Sequence, residues 1–456
     1  MHRVLLFTLT AAFSFVYASA LHAETNVTEF LLGRQPAEGA AVHPPERWSA
    51  TENVDWKVDL PGLGWSSPIV WDGKIYLTSC VSTGEVREPR KGLYLEDLNA
   101  NNYPVDDAEH TWNVYCLDLA TGEMIWEHEA HKGIPPKPHH IKNTLASETP
   151  VTDGERVYAL FGNLGLYCYD LDGERLWTYE IKPRDTQMGW GTSMSPTVHK
   201  DRIYVVNDNE EDSWLIALDK LTGEEVWKVP RDTKTNYSTP YVWENPLRTE
   251  IVINGKLFTR SYDLEGNELW RVEGKSAIAI PRPFEQFGLL FVSSGHVAFG
   301  ENRTYAIRPG ASGDISPVEG EPVSEFIEWH THTGPYHPTP LLVDGNLYML
   351  LDYGFMLCYD AKTGEEVYGK KRIPNGRRFT SSPWTYGDKI YCLNEDGVTF
   401  VIQKGADFDV LYENELAEDD MGMATPVIID DRLLLRTSAR LYCIRATDNV
   451  ANTSGD

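Results

Sequence analysis

One phrase returns along this chain at nearly even intervals. Asp118 to Trp126 reads DLATGEMIW, Asp219 to Trp227 reads DKLTGEEVW, and Asp360 to Tyr368 reads DAKTGEEVY. Shortened or altered copies run from Asp170 to Trp177 and from Asp263 to Trp270. Self-similarity with a period of a few tens of residues marks a repeat architecture, in which each unit buries its apolar face only against its neighbours. A second anchor recurs beside the first. Ser67-Pro68, Thr149-Pro150, Ser195-Pro196, Thr239-Pro240, Thr339-Pro340, Ser382-Pro383 and Thr425-Pro426 each open an apolar stretch. In most copies an Ile-Tyr or Val-Tyr pair follows after a tight turn, as in Ile75-Tyr76 beyond Asp72-Gly73. Two short alternating runs about such a turn form a β-hairpin, and Pro is tolerated at the first residue of a strand.

The unit is therefore a strand opened by Ser/Thr-Pro, a turn, an Ile-Tyr strand, a loop, a strand ending in Asp, a Thr-Gly turn and a strand bearing an aromatic ring. Four antiparallel strands in about 43 residues is the size of a propeller blade. The fourth-strand rings are Trp56, Trp126, Trp177, Trp227, Trp270, Trp329, Tyr368 and Tyr412, which makes eight. The hairpin openings also number eight when the degenerate segment 280–292 is counted. Trp56 stands on a fourth strand without its first three, and residues 424–445 supply three strands without a fourth. The expected fold is all-β, a single eight-bladed β-propeller closed by its N-terminal strand, a closure that removes open sheet edges. Each ring fills the wedge between neighbouring sheets, where its burial is worth a few kcal/mol.

These motifs resemble the repeat of the quinoprotein (pyrroloquinoline quinone) propeller superfamily, D-x-x-T-G-x-x-x-W. The resemblance spans almost all of the chain beyond its first fifty residues and implies architecture more than activity. The superfamily holds quinone-dependent alcohol and glucose dehydrogenases and also non-enzymatic members, among them the propeller lipoprotein of the outer-membrane β-barrel assembly machinery. The alcohol-oxidising members carry a vicinal cysteine pair over the cofactor. No Cys-Cys and no C-x-x-C-H is present here. Glu148, Asn163, Asn207 and Asp208 offer oxygens for the calcium ion that a quinone would need, since hard cations take carboxylate and amide oxygens.

The ends of the chain carry other information. A basic start, the 13-residue apolar run VLLFTLTAAFSFV and Ala18-Ser19-Ala20 read as a secretory signal over residues 1–20, with cleavage as late as residue 23. The run is too short to span a bilayer. No cysteine follows it, so neither a lipid anchor nor a membrane span is expected. Residues 21–50 form an N-terminal extension, 51–447 the propeller, and 448–456 a polar tail expected to be disordered. The net charge of -27 repels phosphate backbones, so nucleic acid is not an expected partner. Four of the six cysteines (Cys116, Cys168, Cys358, Cys443) share one slot of the repeat. They read as buried free thiols, with a Cys80–Cys116 bridge left open. A long insertion in blade 1, residues 82–112, reads as a flap, a partner-binding arm or a solvated loop.

Candidate site residues lie on the loops joining one blade's outer strand to the next blade's inner strand. Trp65, Glu148, Trp190, Tyr237, His330, His332 and His337 converge there on the channel mouth, where rings and a few polar groups make a plausible ligand site. His128, His131, His139 and His140 form a second imidazole group, facing the first across the ring. No metal is expected, because histidine spacing without cysteine or carboxylate partners is unspecific. The functional expectation is an exported binding or scaffold module for a protein or a small molecule such as a sugar, without a catalytic residue or cofactor. The alternative is a periplasmic oxidoreductase using the quinone with Ca²⁺ on an alcohol or sugar.

Overall fold

The structure is a computed structural model and describes residues 26–37, 40, 42–86, 88–92, 106–296 and 301–446. Eight sheets form the ring. Blade 1 runs through strands Ile69–Trp71, Lys74–Ser82, His110–Asp118 and Met124–Gly133, and the later blades repeat that up-and-down order. Blade 8 is assembled from both ends of the chain: Val54–Asp59 pairs antiparallel with Arg440–Ile444 and completes a sheet with Arg432–Arg436 and Val427–Ile429. The degenerate stretch is a true hairpin, Phe284–Gln286 with Leu289–Ser294, and opens blade 5. Two features lie outside the repeat pattern. Blade 4 gains a fifth, parallel strand, Gly313–Asp314, and it comes from a long excursion between the third and fourth strands of blade 5. No helix among the described residues is long and apolar enough to cross a membrane.

The packing explains the repeated phrase residue by residue. The Asp118 carboxylate accepts the backbone N–H groups of Ala120 and Thr121 at 2.9 and 2.8 Å and the Thr121 hydroxyl at 3.0 Å, which closes the turn. Gly122 then turns the chain at φ +73°, and a Cβ there would lie 2.5 Å from the Trp56 ring of the preceding blade. Glycine is thus needed twice over, for its backbone and for the ring lying on it. Indole N–H groups finish the contact by reaching carbonyls of the next blade. Trp56 donates to Leu119, Trp126 to Leu171, Trp177 to Lys220, Trp227 to Leu264 and Trp329 to Ala361, at 2.9 to 3.3 Å. In every blade the ladder skips one residue beside the ring, as where Cys116 faces Trp126 but Leu117 faces Met124. This bulge swings the ring toward the neighbouring sheet. Blade 5 lacks the Asp-x-x-Thr-Gly turn, and there Trp270 donates instead to Glu250 at 2.6 Å.

The Ser/Thr-Pro anchor also has a physical reason. The residue before a proline is held extended, so its hydroxyl points to the neighbouring blade. The N–H of Ser67 donates to Thr149 Oγ1 (2.9 Å), that of Thr149 to Ser195 Oγ (2.9 Å) and that of Ser195 to Thr239 Oγ1 (3.0 Å). A second run passes from Arg282 through Thr339 and Ser382 to Thr425. This belt of hydroxyls follows the channel and breaks where Arg282 takes the hydroxyl slot and again between Thr425 and Ser67, whose Oγ has no hydrogen-bond partner among the described residues.

Residues 26–35 close one end of the channel. Val27 pairs with Val70 of blade 1, and Thr28 accepts from Thr152 of blade 2. Gly33 accepts from Ile428 of blade 8, Arg34 accepts from Thr385 of blade 7, and Gln35 donates to Leu342 of blade 6. The segment therefore crosses the inner strands from side to side. All six cysteines are buried free thiols, and no Cys80–Cys116 bridge forms. Cys80 faces Trp112 and Cys116 faces Tyr76 across the ladder, and burial pushes both thiols up, Cys116 to about 12. The proposed signal, the tail 448–456 and, within the blade 1 insertion 82–112, residues 87 and 93–105 lie outside the described residues.

Candidate functional site

At the open end the channel widens into a cup of about 350 Å³, within the range of small-molecule sites. Phe30 of the crossing segment is its floor. The wall takes at least one residue from every blade-to-blade loop, including Trp65, Trp190, Tyr237, Ile280, His337, Thr380 and Met423. Local structure sets these rings. Trp65 donates its indole N–H to the Lys142 carbonyl at 2.6 Å. Met188, Gly189 and Gly191 all take positive φ around Trp190, and Asn143 Nδ2 holds the carbonyls of Trp190 and Thr192 at 3.1 and 3.0 Å. A Cβ on Gly191 would come within 2.8 Å of that amide. The Tyr237 ring lines the cup, while its hydroxyl is buried without a hydrogen-bond partner among the described residues.

Of the seven residues expected at the mouth, Trp65, Trp190, Tyr237 and His337 line the cup. Glu148 sits just behind the wall, accepting from the Thr192 hydroxyl at 2.7 Å and the Gly162 N–H at 3.2 Å. Burial pushes its carboxyl up to about 7, against those hydrogen bonds. His330 and His332 are not in the wall. His330 belongs to the outer strand Ile327–Thr331 and packs on Tyr305 at 5.7 Å, and His332 is exposed at that strand's end. His337 lies farther along, in the blade-to-blade loop that lines the cup. The two imidazole groups do meet: His140 and His337, from opposite blades, line the same cup.

The second-to-third-strand loops open on the same face, and they hold what the repeat anchors did not reveal. His296 lines the cup from blade 5, 4.7 Å from Tyr336 ring to ring, and burial with nearby His337 lowers its basicity. Asp352, Glu395 and Asp208 occupy these loops in blades 6, 7 and 3, and each holds a basic residue of a blade-to-blade loop. Asp352 accepts the Nδ1–H of His337 and the Tyr336 N–H (3.2 Å), leaving His337 Nε2 as the basic nitrogen. Glu395 pairs with Lys142, whose chain also lines the cup, and accepts the Thr380 hydroxyl at 2.8 Å. It also accepts the N–H of Gly92 at 2.6 Å, which ties the blade 1 insertion to blade 7. Burial works against the Glu395 charge, but Lys142 and these donors hold its carboxyl below the usual range. Asp208 clamps Arg231 through both oxygens, at 2.8 and 3.1 Å.

Comparison with known proteins fits this architecture. The family described as outer membrane protein assembly factor BamB matches residues 110–252. Among solved structures, BamB from Moraxella catarrhalis is 12% identical, with a TM-score of 0.51 over 73% of this chain and 88% of that one. Quinohemoprotein alcohol dehydrogenase from Comamonas testosteroni is 11% identical, with a TM-score of 0.52 over 88% of this chain and 78% of that one. The family model spans less than a third of the chain, and the likeness to these solved structures shows the shared propeller fold. No curated protein matches the sequence.

The resemblance of the repeat implies a calcium-held quinone, and the oxygens named for that ion are engaged elsewhere. Glu148 is turned to Thr192 and Gly162, Asn163 accepts from Arg184, Asn207 from Asn209, and Asp208 is spent on Arg231. Among the described residues no three His, Cys, Asp or Glu side chains converge as a metal would require.

Proposed function

We propose that the propeller is an exported ligand-binding protein whose cup takes a small molecule with a flat face, such as a sugar or an aromatic ring. The cup itself carries this reading. It is closed below by Phe30, walled by rings from separate blades and too small for a folded partner. Aromatic faces supply contact area, while His140, Gln187 and the Nε2 of His337 supply a few oriented polar contacts, the composition expected of a small-molecule site. Export rests on the signal-like N-terminus.

Trp65 and Trp190 make the test direct. Titration of the mature protein with glucose, cellobiose and pyrroloquinoline quinone, with and without Ca²⁺, is followed by tryptophan fluorescence and calorimetry. Binding of a sugar that is lost in Trp190→Ala supports the cup. Quinone binding that requires Ca²⁺ would overturn it in favour of the oxidoreductase. Silence toward all probes would move the reading to a protein partner, the kind of role carried in the matching family's description.

A further inference from the structure

Six of the described arginines are buried: Arg34, Arg231, Arg260, Arg282, Arg303 and Arg436. Four have a carboxylate. Arg231 has Asp208 (2.8 Å), Arg260 has Glu268 (3.3 Å), Arg282 has Glu29 (3.0 Å) and Arg303 has Glu301 (2.5 Å). Arg34 and Arg436 have none among the described residues. Nη1 of Arg34 donates to the carbonyls of Thr339, Pro340 and Pro383 at 3.1, 3.1 and 3.4 Å. Arg436 donates to the carbonyls of Ser66 (2.9 Å) and Thr78 (2.6 Å) and to the Ser66 hydroxyl. The Nε of each is buried without a partner. Both lie directly behind the cup, because Thr339 and Ser67, the neighbour of Ser66, line it.

A buried charge without a counter-charge costs several kcal/mol. Burial accordingly pulls Arg34 down to about 10, with help from Arg282, and Arg436 to about 9. The basic side chains that line the cup, unlike these two arginines, have carboxylate partners where they carry a charge. Lys142 has Glu395 and His337 has Asp352. No Asp or Glu is among the described lining residues, although the chain has 68 of them.

We propose that the ligand of the cup is an organic anion whose carboxylate is held by the field of Arg34 and Arg436. This rests on the cup being a ligand site and names its ligand class, a sugar acid or an aromatic acid.

The probe pair is glucuronate and glucose, which share a ring and differ in charge. Glucuronate is expected to bind at least about tenfold more tightly, a preference that Arg34→Gln reduces to about threefold or less. A second readout is the Tm at fixed ionic strength, with chloride replaced by glucuronate. The wild type should gain more than Arg34→Gln. Glu29→Gln, which strips Arg282 of its carboxylate, should gain more than the wild type. Equal Tm responses in wild type and Arg34→Gln would overturn the proposal. Equal binding of the two sugars would also overturn it, yet would leave the cup as a ligand site.

Discussion

The two ends of the channel are built on different principles. The plugged end carries the Asp-x-x-Thr-Gly turns, the indole rings docked on their glycines and the crossing segment 26–35. The open end carries the blade-to-blade loops, which share almost nothing from blade to blade except the hydroxyl before the proline. Repetition belongs where neighbouring blades must fit one another. Variety belongs where a ligand is met. Substitutions in the repeated turns and docked rings should therefore cost stability and spare binding, those in the blade-to-blade loops should do the reverse, and the crossing segment, which supplies the floor, serves both.

The largest effect is expected from removing residues 26–37, whose contacts with five blades and whose Phe30 floor go together. Urea unfolding should show a loss on the order of 5 kcal/mol, with ligand binding abolished because the cup becomes a through-channel. Retention of binding would break the comparison. Next, Trp177→Ala removes a ring docked on Gly223 and should cost about 3–5 kcal/mol, while the affinity of the cup stays within twofold. Equal damage to both would show that the ends are coupled.

Glu148 sharpens the contrast from the open side. Its folded carboxyl titrates at about 7, above its unfolded value, so its stabilising contribution is present at low pH and is lost as pH rises through 7. Urea midpoints of the wild type should fall between pH 5 and pH 8. In Glu148→Gln that fall should shrink, by up to roughly 3 kcal/mol. An unchanged pH profile would remove Glu148 as its source. The smallest effect belongs to Tyr368→Phe. This outer-strand ring stands where other blades have Trp, and its hydroxyl is buried without a partner, so the change should be within about 1 kcal/mol of neutral.

The same division explains what could be read from the chain. The blade count, the closing strand and each docked ring follow from Asp118, Gly122, Trp126 and their copies, because local turn chemistry and period carry them. The cup was legible only in part. Trp65, Tyr237 and His337 each stand two residues before the Ser/Thr of the anchor, so counting finds them, and Trp190 stands on the same kind of loop farther from its anchor. His296, Asp352 and Glu395 stand on the other set of loops, where the faint signal is a polar residue just past each second strand. Phe30 and Arg34 have no repeat at all. Their places are set by contacts with residues some 300 positions away, such as Thr339 and Pro383.

The sheet that joins Val54–Asp59 to Arg440–Ile444 bears on the order in which the molecule can be made. Synthesis delivers the closing strand first and its partner last. Until the last strand emerges, the first lacks its sheet, and the crossing segment lacks the blades that hold Gly33, Arg34 and Gln35. Seven blades must wait as an open arc with both flanks exposed, which favours slow, late closure and exposes the chain to wrong pairings. A chain shortened before residue 440 should persist as that arc, sensitive to protease and unable to form the floor of its cup.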